Sequence, residues 1–400
     1  MKKHYFSAYS GLPREVYFLF AARLVNCLGY FVTPLLTLIL TQKLGLGKAE
    51  TGTAVALLIL TQAPCVILGG RLADTIGRKK TFLIGSLAGA AVYLVCGLGI
   101  SGRAMIFCII AAADFVAVSA PAADALLADL TKPEDRQAAF SLLYLGINIG
   151  MAVSPLIGGL LFRNHLPLLF ILDAVSSFAS AAITARYVPE VFSRKKKTNG
   201  EISSVSLYGV LKRAPVLVFF VLLLFLYDFC YTQWDFMLPA QFGDMFADDG
   251  ARRYSILCSV NAVTVIVMTP LITNLTRRLH PLKAVALAGI FYIAAYAGFC
   301  GGGNYYFYIL FGVLFTLGEI CTAIQVGTFL SNRTPADCLG RVNAFSTFMR
   351  GAAKSLGPLL MGQLLAVWDY SDGWRTAACI TIAAAAGFFL LDRWDTETER

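Results

Sequence analysis

The chain has 400 residues, 58% of them hydrophobic and only 14% charged. Soluble domains carry about 25% charged residues, so this composition excludes a soluble globular protein and points to one embedded in lipid. The net charge of +9 sits in short loops between apolar runs, which suits membrane orientation and argues against nucleic acid as a partner.

The first apolar run, about Glu15 to Thr41, is too long for a signal peptide and has no small-residue cleavage site. The second runs from Thr51 to Gly70, and a basic stretch to Lys80 separates it from the third, Thr81 to Ile100. Span four covers Ala104 to Ala128, a polar loop runs from Asp129 to Arg136, span five continues to Phe162, and span six is Pro167 to Val188. A polar stretch with Arg194, three lysines and Asn199-Gly200 reads as a linker. Six more spans follow: Pro215–Gln241, Tyr254–Thr276, Leu282–Cys300, Tyr305–Ser331, Val342–Val367 and Trp374–Leu391. Twelve runs of about 20 residues are each long enough to cross a bilayer as a helix. The expected domains are an N-terminal six-helix half (1–190), a linker (191–214) and a C-terminal half (215–400). The ten cysteines stand singly, without CxxC or zinc spacing, and read as small apolar residues, so neither metal nor cofactor is expected.

With both termini inside, inner loops and termini hold 23 Lys/Arg and outer loops seven, which sets a cytoplasmic location for both termini. The halves repeat at a shift of about 205 residues: Arg136-Gln-Ala-Ala-Phe-Ser141 meets Arg341-Val-Asn-Ala-Phe-Ser346, Pro34 meets Pro239, and Asp114 meets Glu319.

The stretch Gly70-Arg71-Leu72-Ala73-Asp74-Thr75-Ile76-Gly77-Arg78-Lys79-Lys80 resembles the signature loop between helices two and three of the major facilitator superfamily of secondary transporters, with Thr75 where the family usually has Arg or Lys. Span five carries Gly150, Ser154-Pro155 and Gly158-Gly159, which resembles the family's span-five Gly-Pro and Gly-Gly motif, with Ser154 in place of glycine. Span eleven has a relative of it, Gly357-Pro358 to Gly362. The resemblance covers the whole chain and implies an all-α integral membrane fold. Twelve transmembrane helices form two pseudo-symmetric six-helix halves, with a substrate site at the midplane between them. A gating role is expected for Gly70, Asp74, Gly77, Arg78, Lys79, Gly150, Pro155, Gly158 and Gly159, with Asp74 accepting hydrogen bonds that hold the inside closed; for the span-five residues the alternative is helix packing without a role in direction.

Ionisable residues inside spans cost roughly 2.5–3.5 kcal/mol each on insertion scales, so they are paired or face water. Here they are Arg23, Asp114, Asp124, Asp173, Asp228, Asp235, Glu319, Arg350 and Lys354. In the facilitator fold spans one, four, seven and ten line the cavity, which places Arg23, Asp114, Asp228, Asp235 and Glu319 there; helical spacing puts Asp228 and Asp235 on one face. Asp173 is expected to be structural, and Asp124 and Asp129 to cap helices or pair with the basic stretch. Gly318-Glu319 resembles the span-ten pair of drug/proton antiporters, and Gln233, Asp235 and Leu238-Pro239 resemble their span-seven pattern. That family's span-four arginine is missing from Ile109 to Ala113. Tyr227, Tyr231, Trp234 and Phe236 are either belt or core aromatics or a stacking surface for a cation.

A carboxylate in a low-dielectric cavity holds its proton more tightly than in water, so it can exchange that proton for a cationic substrate. The expected function is proton-coupled efflux of amphipathic or cationic small molecules by a monomeric transporter in the cell membrane, with Glu319 as principal proton carrier. Arg350 and Lys354, if they point inward, bring the cavity near neutrality, and Lys354 is the residue best able to favour a carboxylate substrate instead. The alternatives are symport or uniport of a nutrient, metabolite or lipid-like solute, and a receptor or scaffold without turnover. Enzyme activity is not expected. Gly99-Ile-Ser101-Gly102 matches a serine-protease tetrapeptide, but His4, His165 and His280 all fall in loops or at span edges, and no nucleotide motif is present.

Overall fold

The computed structural model describes residues 11–398 except 133, 191–208, 210, 213, 302, 303 and 335–337. Most of the expected linker, 191–214, lies outside the described residues. Every regular element among the described residues is helical. Span one comprises Arg14–Leu28 and a short piece from Leu36 to Lys43; spans two to six are Lys48–Thr75, Arg78–Gly97, Arg103–Leu130, Arg136–Phe162 and Leu166–Tyr187. Span seven comprises Pro215–Tyr231 and Met237–Phe246; spans eight to twelve are Gly250–Thr276, Pro281–Cys300, Tyr305–Arg333, Leu339–Leu364 and Tyr370–Thr398. Nine continuous helical stretches among the described residues are long and apolar enough to cross a bilayer. One of these, Pro215–Thr276, contains both span seven and span eight. The nine stretches therefore hold ten spans; span one is left out because it is broken, and span eleven because it carries Arg341, Arg350 and Lys354.

Local chemistry sets the ends. Proline stands in the first turn of spans six, seven and nine, where its missing N–H costs nothing. Asn304 accepts the Tyr306 N–H at 3.0 Å and caps span ten.

Spans one and seven were expected to be continuous, and both are broken. Span one is non-helical from Gly29 to Leu35, around Pro34. Freed backbone groups inside a membrane need partners from the protein. Ser154 donates to the Tyr30 carbonyl at 3.0 Å, and an Asp173 carboxylate oxygen lies 3.4 Å from the Val32 N–H. Asn26 on the last helical turn donates to Ser177 at 3.0 Å. Span seven tightens into a 3-10 turn at Thr232–Trp234, where Asp235 and Phe236 N–H groups both donate to the Thr232 carbonyl at 3.2 Å. Shifted by 205 residues, Gly29 falls on Trp234, so the two breaks occupy equivalent places.

The chain divides into two compact units. Unit 1 draws on Met1–Gly45, Thr61–Lys195 and Phe242–Ala262; unit 2 draws on Leu46–Leu60, Lys196–Gln241 and Val263–Arg400. Each unit therefore takes the opening part of one span from the other sequence half. The two borrowed segments are themselves repeats, since 242–262 shifted back by 205 covers 37–57. Glycines seat both. In unit 2 a Cβ on Gly52 would stand 2.2 Å from the Pro358 carbonyl, and Ser355 donates to Ala56 O at 3.0 Å. In unit 1 a Cβ on Gly159 would stand 2.5 Å from Ser255 Oγ, and Gln42 donates to Gly243 O at 3.1 Å. Small residues thus let backbones approach within the span two–span eleven and span five–span eight contacts.

Candidate functional site

In unit 2, spans seven, nine, ten and eleven enclose a cavity of about 200 Å³, lined by Asp228, Tyr231, Tyr292, Glu319, Arg350 and Lys354 among others. Arg350 and Lys354 are four residues apart on span eleven, so they share a face. Arg350 meets Asp228 with two hydrogen bonds, Nε to Oδ2 at 2.7 Å and Nη2 to Oδ1 at 3.2 Å. Asp228 is buried, and this fork is the strong form of a carboxylate pair. One turn along span seven, the Tyr231 hydroxyl donates to Glu319 Oε1 at 2.8 Å. The Lys354 ammonium lies 5.4 Å from the centre of the Tyr231 ring, and no hydrogen bond or ion pair ties it to another described residue. With Glu319 ionised, two acids face two bases and the lining is neutral; with Glu319 protonated it carries one net positive charge.

Gln233 is fully buried beside Gly357, with Nε2 donating to Phe229 O at 3.0 Å and Oε1 lacking a hydrogen-bond partner among the described residues. Asp235 is exposed and does not line the cavity. Asp228 and Asp235 do not share a face as helical spacing predicted, because the 3-10 turn between them breaks the periodicity. Trp234 stacks on Phe315 with ring centres 4.5 Å apart, and Tyr227 packs against Tyr292 and Phe388. Within the cavity, the Tyr231 ring is reached by the Lys354 ammonium. Sequence reading named Tyr231 for stacking and missed its hydroxyl; Tyr231 lies three residues after Asp228, the spacing that would have placed both on one face. Tyr292, on span nine, carried no such signal.

Unit 1 holds a second cavity, of about 210 Å³, formed by spans one, three, four, five and six. Arg23, Asn26, Asp124 and Tyr144 line it together with apolar residues that include Phe82 and Phe140. Asp124 was expected to cap a helix or pair with the basic stretch and instead faces this cavity, while Asp129 does pair with Arg78. Asp114 lies outside both linings, with Oδ1 buried and without a hydrogen-bond partner among the described residues.

The basic stretch is shorter as a loop than its charge suggested. Helix continues through Gly70 and Asp74 to Thr75, and only Ile76 and Gly77 turn. Gly77 has φ +109°, a left-handed conformation that favours glycine. Glu190 closes the turn by accepting the Lys79 and Lys80 N–H groups, both at 3.1 Å, a carboxylate cap on the N-terminus of span three. Arg78 also donates to Ala125 O at 3.1 Å, and the Lys79 ammonium to Ala185 O at 2.7 Å. Asp74 is exposed and makes no hydrogen bond to another described residue. In unit 2 the residue 205 positions beyond Glu190, Asp395, meets Arg333 at 2.5 Å and His280 at 3.7 Å. In span five, a Cβ on Gly150 would stand 2.3 Å from Cys27 Cβ and one on Gly158 3.1 Å from Leu35, with Pro155 inside the helix between them.

The sequence model described as Major Facilitator Superfamily matches residues 19–358. The chain belongs to the major facilitator superfamily. As a member it is a multi-pass membrane transporter. It is 25% identical over 86% of its length, and 85% of the relative's, to the uncharacterized MFS-type transporter YhjO of Bacillus subtilis. It is 21% identical to a Na(+), Li(+), K(+)/H(+) antiporter of Planococcus maritimus over 92% of each chain. The multidrug resistance protein MdtH of Klebsiella pneumoniae is 29% identical over 43% of each chain. The superfamily fold is seen again in the crystal structure of the nucleoside transporter NupG (D323A mutant). It superposes with a TM-score of 0.79, covering 94% of this chain and 99% of that one at 16% identity.

Proposed function

We propose that this transporter is a proton-coupled exporter of amphipathic, cationic small molecules, and that Glu319 carries the proton. The observation that supports this most is the division of labour in the unit 2 cavity. Asp228 is held by a two-pronged guanidinium contact, so protonating it would strand Arg350. Glu319 is held by a tyrosine hydroxyl, a neutral donor that can rotate away when the carboxylate gains a proton. Protonation takes the lining from neutral to one net positive charge, which repels a bound cation; deprotonation lifts that repulsion. Tyr227, Tyr231 and Tyr292 supply aromatic surface for the apolar body of such a solute. The names of two relatives, a cation/proton antiporter and a multidrug resistance protein, agree with this reading. The excess of 23 inner over seven outer cations supports a membrane orientation with both termini cytoplasmic, and the proposed working unit is a monomer in the cell membrane.

A second reading draws on Lys354, whose ammonium reaches the same cavity without an ion pair among the described residues. It favours import of a carboxylate-bearing nutrient or metabolite by symport. Purified protein in liposomes with an imposed pH gradient separates the two: export predicts that solute and protons move in opposite directions. Movement in the same direction supports the second reading, and substrate binding without any solute flux supports a receptor.

A further inference from the structure

The unit 1 cavity plays no part in the proton chemistry above, yet it is built from opposite charges. Arg23 on span one and Asp124 on span four both line it and both are exposed to it. The field of Arg23 reaches Asp124, but no hydrogen bond or ion pair joins them or ties either to another described residue. Charged groups inside a membrane protein ordinarily pair with one another or face water. Two opposite charges that share a cavity and stay apart leave both available to a third party. The rest of the lining is of two kinds. Leu19, Phe82, Phe140 and Leu143 form an apolar wall, while Asn26 and Ser177 are already bonded to each other at 3.0 Å and offer a fixed polar edge.

We propose that this cavity is a binding site for an amphipathic zwitterion, with Arg23 taking the carboxylate, Asp124 taking the ammonium, and the apolar wall taking an aromatic or aliphatic body. A cation alone would leave Arg23 as an unfavourable like charge in the same cavity, and an anion alone would meet Asp124. A molecule carrying both charges satisfies both walls at once. Arg23 suits a carboxylate because its planar fork can give two parallel hydrogen bonds. The inference rests on the reading that the chain handles amphipathic solutes, but it does not depend on proton coupling.

The test measures binding to the purified protein in detergent, with no gradient. The probes are phenylalanine and tryptophan, their amides, which keep only the ammonium, and their N-acetyl forms, which keep only the carboxylate. At least one of the two free amino acids is expected to bind about ten-fold more tightly than either of its derivatives, the factor that 1.4 kcal/mol represents. Arg23→Gln removes the advantage over the amide, Asp124→Asn removes the advantage over the N-acetyl form, and Arg23→Lys retains most of it. Binding is read at fixed pH with no proton gradient, which keeps the result separate from the proton reading. The inference is overturned if no probe binds, if amides bind as tightly as the free amino acids, or if both charge-removing variants keep the wild-type order. Thermal midpoints of the variants within a few degrees of wild type establish that they are folded.

Discussion

The two cavities lie at equivalent places in the repeat and are wired oppositely. Leu19, Ala22, Arg23 and Asn26 line the one in unit 1; the residues 205 positions on, Leu224, Tyr227, Asp228 and Tyr231, line the one in unit 2. The same helical face is used in both, but a cation in one place answers to an anion in the other. Asp228 is buried and locked by Arg350, whereas Arg23 is exposed and has no such partner among the described residues. Repetition supplies the scaffold here, and individual side chains decide what each half can bind.

Stability measurements sharpen this contrast most strongly. Asp228→Ala leaves Arg350 without its carboxylate and should cost about 3 kcal/mol, the low end for a buried pair because the arginine side chain is still 38% exposed. Arg23→Ala removes no pair and should stay within about 0.5 kcal/mol. Thermal unfolding in detergent reads both, and equal losses would erase the distinction. Replacing both Asp228 and Arg350 by leucine and methionine should recover most of the stability while transport is lost.

A smaller effect is expected at Tyr231. Tyr231→Phe keeps the ring beside Lys354 and removes the donor to Glu319, at a cost of about 1 kcal/mol. Uphill transport should fall several-fold while substrate binding stays near wild type, as flux and equilibrium binding on the same preparation would show. The equivalent change in unit 1, Asn26→Leu, breaks the bond to Ser177 and should leave the proton count per substrate unchanged. The smallest effect is at the break in span one: Ser154→Ala loses one hydrogen bond to the Tyr30 carbonyl and should cost about 0.6 kcal/mol, typical of such bonds within membranes. A loss of several kcal/mol there would mean that the break depends on Ser154 far more than on Asp173.

Much of the fold is legible in the sequence because lipid imposes long apolar runs and short charged loops. Most span ends fall within a few residues of the expected ones, and the last span runs on to Thr398 beyond the expected Leu391 because its end is amphiphilic and tied by Asp395 to Arg333. The breaks at Gly29–Leu35 and Thr232–Trp234 escape hydropathy, which sees apolar residues whether or not they are helical. Glu319, Asp228, Arg350 and Lys354 were identified as intramembrane charges, and the cavity that gathers them was not derivable from spacing within any single helix. Asp235 was misplaced onto the face of Asp228 for the reason that a uniform helix was assumed through the turn. The role of Ser154 was hidden too: its partner lies 124 positions earlier in the chain, on another span.

Glu319 offers the most direct test of proton coupling. Glu319→Gln resembles the protonated carboxyl in size and shape, so the cavity should still form. In liposomes with a pH gradient, wild type should accumulate a cationic substrate uphill and release protons when that substrate binds. The variant should bind the substrate measurably but more weakly, exchange it passively, and show neither accumulation nor proton release. Uphill transport by Glu319→Gln with an unchanged proton count would contradict the account and move the proton to another carboxylate, with Asp114 the next to test.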